Sequence, residues 1–439
     1  LLFLVAQLFI DRYDYLKEYF YVKKDQSFIL VIERGLMSIA RKYWLILFGF
    51  GFSYLGNWVN LVALNLLVWH LTESPTAMAS IFIVGPIARI LTSFFAGSII
   101  DRSNKQKLMI YSDIIRGILI LLLPFTSSIW LIYCVLFLSN IASSFFGPSS
   151  TYYISKYIPD EDKQSFNAIL GMFSSGSFLI GPALAGFIIA ISNISIAFWF
   201  NALTFFICAL SIFKLPAVED HQDMHRKPIT WRMLKEDYGI VYAYIKKEKV
   251  FAKVFLYFQG ALMIAFALDS QEATFIKQNL QASDSLYGVI VSIAGIGAII
   301  GGAMAARYAK RFSTRQYIVY GLLLTTLCYT LFYSSPNVAM AIISFIALGV
   351  CMSFCNAGYS TFYQISVPTS IMGRFGSVST MVINVLQIVF TLALGLLSEW
   401  LSLQIVCIVF GIVAIFLSIV LYVFMHSKSA YEGLKEEIV

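Results

Sequence analysis

Most ionisable side chains in this sequence fall in a few short polar stretches, so those placed elsewhere carry information. Asp269 and Glu272 stand three apart at the end of a long apolar run. At helical spacing they share a face and, away from water, are the groups best suited to take up and release a proton. Asp113 and Arg116 have the same spacing with opposite charge, which fits mutual pairing, or bracing of the turn at Asp101, better than contact with a solute. Arg89 is enclosed by apolar sequence on both sides, and two roles fit it: holding an anion, or pairing with a carboxylate. Amides recur in similar settings: Asn57 with Asn60, Asn140, Gln259, Asn356, and Asn384 with Gln387. Each could line a cavity or hydrogen-bond to a neighbouring helix. No nucleophile, base and acid combine into an enzyme site. The four His are scattered, and His221 with His225 fits a solvated pair or a weak metal site. Cys351 and Cys355 share a helical face without a third ligand, so packing explains them, and no P-loop provides for ATP. The sequence therefore implies no cofactor, no metal and no enzymatic reaction.

The elements that must position these groups are transmembrane helices. Of 439 residues, 59% are hydrophobic and 13% charged, and the mean hydropathy is +0.79. Soluble domains carry roughly twice that charge. Apolar runs long enough to cross about 30 Å of hydrocarbon recur, and they are apolar on every face, unlike the alternating segments of a membrane barrel. The expected spans are 43–69, 76–100, 108–126, 128–150, 165–191 and 194–214, then 250–272, 283–308, 316–334, 337–361, 373–398 and 402–425. Arg89 falls about 20 Å into the second span at 1.5 Å per residue, close to mid-depth. The net charge of +7 reports topology rather than nucleic acid. Basic residues gather in alternate loops, at 102–107, 156–163, 214–249 and 307–315, whereas the intervening loops hold only Lys277. By the positive-inside rule the basic loops and both termini face the cytoplasm of a plasma membrane protein.

The two sets of six spans resemble each other. Gly97, Arg102 and Lys105 are matched 205 residues later by Gly302, Arg307 and Lys310, and Pro159 is matched 209 residues later by Pro368. A duplicated six-helix unit follows, with a solute site between the halves near mid-depth. The expected organisation is an N-terminal segment 1–42, a bundle 43–214, a cytoplasmic linker 215–249 with an amphipathic piece at 231–244, a second bundle 250–426 and a tail 427–439. The run 1–10 is too short to span. Two readings fit the segment: a signal peptide, although no small-residue cleavage pattern follows, or a native start at Met37, with Glu33-Arg34-Gly35 reading as a purine-rich ribosome-binding site.

The strongest local pattern runs from Gly97 through Asp101 and Arg102 to Asn104, Lys105 and Lys107. It resembles the G-x-x-x-D-R-x-G-[RK]-x-[RK] signature of the major facilitator superfamily. Asn104 stands where the family has a second glycine, as the other residue that tolerates a left-handed turn. The resemblance implies a latch in which Asp101 meets the positive N-terminus of the eleventh span near Gly373 and Arg374. In the fifth span, Ser177, Gly181, Pro182, Ala185 and Gly186 resemble the family's antiporter signature, which is associated with exporters. Ser177, Gly181 and Ala185 form a small-residue stripe, and Gly297 with Gly301 makes a matching face in the eighth span. Two such faces are expected to slide on one another as the halves rock. The Pro159 and Pro368 loops and the Asp113 to Arg116 segment look most like the macrolide-efflux and enterobactin-exporter branch. The fourth span carries no charge, unlike the Arg of related drug antiporters.

The implied fold is all-α, with twelve transmembrane helices in two pseudo-symmetric bundles. The implied function is secondary export of an amphiphilic drug, macrolide or siderophore-like molecule, with protons as the counter-ion, by a monomer in contact with lipid. Aromatic residues make up 16% of the chain, which suits a large apolar cavity with few polar anchors. Import or lipid flipping on the same scaffold is one alternative, and a membrane sensor without transport is another. Single cysteines at Lys105 and Lys310 should both react with an impermeant maleimide only from the cytoplasmic face. Labelling from opposite faces would break the topology.

Overall fold

A computed structural model of the chain describes residues 39–218, 231–308 and 311–427. Among them are fourteen α-helices: α1 (Trp44–Thr72), α2 (Pro75–Arg102), α3 (Lys105–Leu122), α4 (Ile129–Tyr157), α5 (Asp160–Ile191), α6 (Ile194–Phe213), α7 (Trp231–Lys247), α8 (Lys249–Asp269), α9 (Glu272–Gln278), α10 (Asp284–Tyr308), α11 (Thr314–Tyr333), α12 (Val338–Ser366), α13 (Thr369–Trp400) and α14 (Leu403–Met425). All but α7 and α9 are long and apolar enough to cross a membrane. Residues 1–38, including the candidate start at Met37, lie outside the described residues, as do His221, His225 and Lys310.

Polar caps set where the helices begin. Ser74 accepts from Ala77 N ahead of Pro75, Asn193 from Ile196 N and Asn337 from Met340 N, each meeting a backbone donor that the first turn leaves free. Asn104 does the same for Lys107 N at 2.8 Å with φ −65°, so it is an N-cap and not the left-handed turn residue expected from the motif. Ser313, 209 residues on, caps α11 in a reciprocal box with Gln316.

The helix ends differ from the apolar spans in a patterned way. On the side carrying the termini, α4 and α5 run on to the Pro159 loop, and α12 and α13 run on to the Pro368 loop. Hydropathy marks only the hydrocarbon layer, whereas these helices continue past it until a proline stops them. The third span ends earlier than expected, at Leu122, in a short 3-10 turn around Pro124. The seventh ends at Asp269, and α9 follows after Ser270 and Gln271.

Each half repeats one contact scheme. α1 packs on α5 and α6 as α8 packs on α13 and α14; α3 packs on α4 and α6 as α11 packs on α12 and α14; α2 meets α4 as α10 meets α12. Across the halves, α2 meets α13 and α5 meets α10. α1 begins and α14 ends at one end of the molecule, the terminal end, and the opposite one is the far end. At the far end one continuous core joins both halves, from Val62 and Phe198 to Leu268, Phe332 and Leu394. At the terminal end each half keeps its own core, around Phe50, Tyr153 and Phe166 in one and around Phe258, Phe362 and Phe375 in the other. Among the described residues, the buried cores of the two halves merge at the far end and stay separate at the terminal end.

Glycine permits the seal. A Cβ on Gly288 of α10 would lie 2.4 Å from Pro182 O and 3.0 Å from Gly186 Cα of α5, and one on Gly395 of α13 would lie 2.6 Å from Ala79 Cβ of α2. Gly288→Ala should therefore lower Tm in detergent, by an overpacking cost of about 1–3 kcal/mol. Gly302→Ala, where the added carbon meets nothing within 4 Å, should hold or raise Tm. Thermal melting of the two variants checks the contrast.

Candidate functional site

Between the halves, at mid-depth, lies Arg89. It is the fifteenth residue of the 28-residue helix α2, opposite Asn384, the sixteenth of the 32-residue helix α13. Its Nη2 donates to Asn384 Oδ1 at 3.4 Å. Asn140 of α4 closes the group, because a Cβ on Gly85 would stand 3.1 Å from Asn140 Oδ1 and 3.3 Å from Arg89 Nη1. Arg89 is exposed, and among the described residues no carboxylate reaches it. A guanidinium with most of its donors uncommitted, held between two bundles, can take an anionic or carbonyl-bearing solute. Of the two roles open in the sequence, pairing with a carboxylate is not the one seen.

Asp113 and Arg116 are committed elsewhere. Arg116 Nη1 donates to Asp113 Oδ1 at 3.0 Å and its Nη2 to Asn57 Oδ1 at 3.1 Å, and the guanidinium lies 3.9 Å from the Phe205 ring centroid. This pair is buried inside the first bundle, where it ties α3 to α1 and α6, and removing either partner would strand a charge. Asn60 is half-buried and Gln259 is buried beside Phe258, whose ring stacks on Tyr359 at 4.2 Å. Asn356 is exposed and Gln387 half-buried. Among the described residues no hydrogen bond links these four amides to the Arg89 group.

A second polar group lies in the far-end seal. Tyr329 Oη donates to Asp269 Oδ1 at 2.6 Å, and Glu272 Oε1 is buried without a protein partner. Among the described residues no Lys, Arg or His pairs with either carboxyl. A buried acid without a cation is held at least cost in its neutral form. Between the two acids, Gln271 Nε2 donates across the halves to Pro75 O at 3.0 Å. Asn65 Nδ2 donates to Tyr287 Oη at 3.0 Å, and His70 Nε2 meets Asp284 Oδ2 at 2.9 Å. On the other interface Glu399 binds the start of α2, through Ser74 Oγ and through Thr76 N at 3.3 Å, while Thr76 Oγ1 donates to Gly395 O at 3.1 Å. A carboxylate from one bundle thus sits on the positive end of a helix in the other. Sequence reasoning missed His70, Asp284, Tyr287, Tyr329 and Glu399. The signal present was polar residues flanking span ends, which reads as ordinary interfacial sequence.

The expected sliding faces pack elsewhere. Ser177 Oγ reaches Gly51 O of α1 at 3.4 Å, and a Cβ on Gly181 would meet Trp58 of α1 at 2.4 Å, so this stripe faces its own bundle. Gly297 and Gly301 face Ile346 and Val350 of α12, again within one half. The surface between the halves is formed instead by Leu179, Pro182 and Gly186 against Ser285, Gly288 and Gly295. Ala185 is fully buried in the far-end core. Of the expected latch, Gly97, Asp101 and Arg102 lie in the last turns of α2 and Gly373 in the first turns of α13, with Asp101, Arg102 and Gly373 among the positions whose side-chain surroundings lie outside the description. Lys105 is buried with its Nζ 4.9 Å from the Tyr152 ring centroid, and Lys107 and Arg374 are exposed.

Twelve membrane-crossing helices in two related bundles, closed at one end over a mid-depth polar group, define a membrane transporter. Residues 46–272 and 254–437 match the model of the Major Facilitator Superfamily. The chain belongs to this family, whose members are transporters and not enzymes. It is 24% identical to the uncharacterized MFS-type transporter YfiS of Bacillus subtilis (strain 168), over 88% of this chain and 92% of that one. It is 22% identical to BacE of the same organism, which is assigned by name to bacilysin export, over 87% and 93%. Among solved structures it is similar to a bacterial homolog of the human lysosomal transporter Spinster, inward-facing and unoccupied, with TM-score 0.69, 14% identity and coverage of 90% and 98%. The nucleoside transporter NupG gives TM-score 0.67, 16% identity and coverage of 88% and 99%.

Glu399→Gln should loosen the seal. With Ala79→Cys as a buried reporter in a background free of other cysteines, an impermeant maleimide added at the far face should label the Glu399→Gln protein several-fold faster. Equal rates would show that Glu399 does not hold the closure.

Proposed function

We propose that this protein exports an amphiphilic small molecule, of drug, macrolide or siderophore type, across the plasma membrane in exchange for protons, by alternating access between its two bundles. The observation that carries the reading is the position of Arg89: exposed, midway along α2 and bonded to Asn384 of the other bundle, where the cores of the described residues merge at the far end and stay separate at the terminal end. The basic loops support a cytoplasmic position for the terminal end. In this conformation the Arg89 group is therefore reached from the side on which an exported solute is collected. BacE supports the direction, as does the similarity, 21% over 47% of this chain, to multidrug resistance protein 2 of Bacillus subtilis (strain 168). The antiporter-like run from Ser177 to Gly186 supports it as well.

In this reading Asp269 and Glu272 exchange protons with the far side. Burying them in the seal requires the neutral form, so a proton taken up from the far side permits closure there; its release toward the terminal end as solute binds restores the charge and favours reopening of the far end. The Asp101 turn, with Gly373 and Arg374, is the latch of the terminal end in this reading. The central solute is oriented by Arg89, Asn140 and Asn384, with binding strength drawn from the surrounding apolar walls.

Energised cells expressing the protein should retain several-fold less of a lipophilic anionic or zwitterionic dye than cells without it, and an uncoupler should erase the difference. Higher retention would reverse the direction and make it an importer. Arg89→Ala should abolish transport of carbonyl-rich substrates while leaving Tm unchanged. In liposomes, Asp269→Asn and Glu272→Gln should uncouple transport from proton movement, and full coupling in both variants would remove these carboxyls from the mechanism.

A further inference from the structure

The linker helix α7 lies on the terminal end of the second bundle as a strap fixed at two points. Tyr238 Oη meets the Met381 sulfur on α13, and Tyr244 Oη donates to Ser366 O at the end of α12 at 2.8 Å. Beneath the strap is a cavity of about 330 Å³, walled by Val241 and Ile245 of α7, Phe251 of α8, and Phe375 and Val378 of α13, with Lys253 as its cation. That volume lies at the lower end of small-molecule pockets, roughly 300–1,000 Å³, and takes a stretch of acyl chain rather than a whole lipid.

Depth and charge say what fits. Lys249 and Arg374 begin the apolar stretches of α8 and α13, so the cavity occupies the first turns of both, at the level where headgroups meet hydrocarbon. Leu256, which also lines it, is 62% exposed, and Tyr242 on the strap is 68% exposed, so the apolar wall continues toward the bilayer. Lys246, Lys247, Lys249 and Lys253 are all exposed, and among the described residues none is held in an ion pair. Lys253 Nζ lies 5.2 Å from the Phe424 ring centroid, with its stem along apolar surface and its ammonium at the rim. The stretch 246–253 has four lysines to the single acid Glu248.

We propose that this cavity is a binding site for an anionic phospholipid, with part of one acyl chain under the strap and the headgroup phosphate on Lys253 and Lys249. A zwitterionic lipid would fill the cavity without answering the four lysines. A soluble phosphate would find carbon walls, since the Ser379 hydroxyl is spent on the Phe375 and Gly376 carbonyls at 2.7 and 3.1 Å. Because the same lipid would touch α7, α8 and α13, it would couple the strap to a helix that forms part of the contact between the halves.

The test is native mass spectrometry of the delipidated full chain, titrated with phosphatidylglycerol, with phosphatidylcholine of the same acyl chains, and with inorganic phosphate as competitor. Phosphatidylglycerol should bind about fivefold more tightly than phosphatidylcholine, Lys253→Gln should erase that preference, and Arg311→Gln, an exposed cation at the same end, should keep it. Ala252→Phe, which fills the cavity from α8, should lose binding while its melting curve reports folding. Equal affinity for the two lipids, a preference that survives Lys253→Gln or falls equally in Arg311→Gln, or displacement of the lipid by inorganic phosphate would each overturn the assignment.

Discussion

The structure depends on one contact, the close approach of the two bundles at the far end. Helices in lipid gain little from apolar burial against one another, so packing and hydrogen bonds must hold them together. Gly288 against Pro182 and Gly186, and Gly395 against Ala79, bring backbones near enough for dispersion to act along whole turns. Hydrogen bonds from Asn65, Gln271 and Thr76 then fix register across the gap. At the terminal end the two cores of described residues do not merge, and midway along the interface Arg89 stays exposed beside the buried Asn384.

Charge is handled differently at each depth. Inside the first bundle, Arg116 has a carboxylate, an amide and an aromatic face around it, so its cost is met locally and it acts as a structural tie. Between the bundles Arg89 keeps free donors. In the seal Asp269 and Glu272 have a tyrosine and each other but no cation, an arrangement compatible with closure only when neither is ionised. Glu399 is the exposed exception, stabilised by the dipole of a helix from the opposite bundle. The groups that meet between the bundles are thus only partly paired, whereas Arg116 and Asp113 are paired within one bundle.

The helices were legible in the sequence because a span of about twenty apolar residues has no soluble alternative. The duplication was legible in the offset between Gly97 and Gly302. Helix length beyond the hydrocarbon was not, because α4, α5, α12 and α13 end at prolines rather than where hydropathy falls. Partner choice was not legible either. α10 carries two glycine faces, Gly288 with Gly295 and Gly297 with Gly301, about half a helical turn apart. Spacing identifies both as close-packing surfaces but cannot say which neighbour each one meets. Asn104 shows the same limit, since Asn serves both left-handed turns and N-caps and only the backbone decides. In the candidate site the sequence gave no reason to join Arg89 to Asn140 and Asn384, which lie 51 and 295 residues away along the chain.

The overrun of helices at the Pro159 and Pro368 loops has a mechanical consequence. α12 has 29 residues, about 43 Å at 1.5 Å per residue, and its partners are of similar length. Anchored at one extremity, such a rod works as a lever: turning it by about ten degrees swings the free tip by roughly 7 Å. A small rotation where Gly186 rests on Gly288 would therefore have its largest effect at the opposite extremity, without bending any rod.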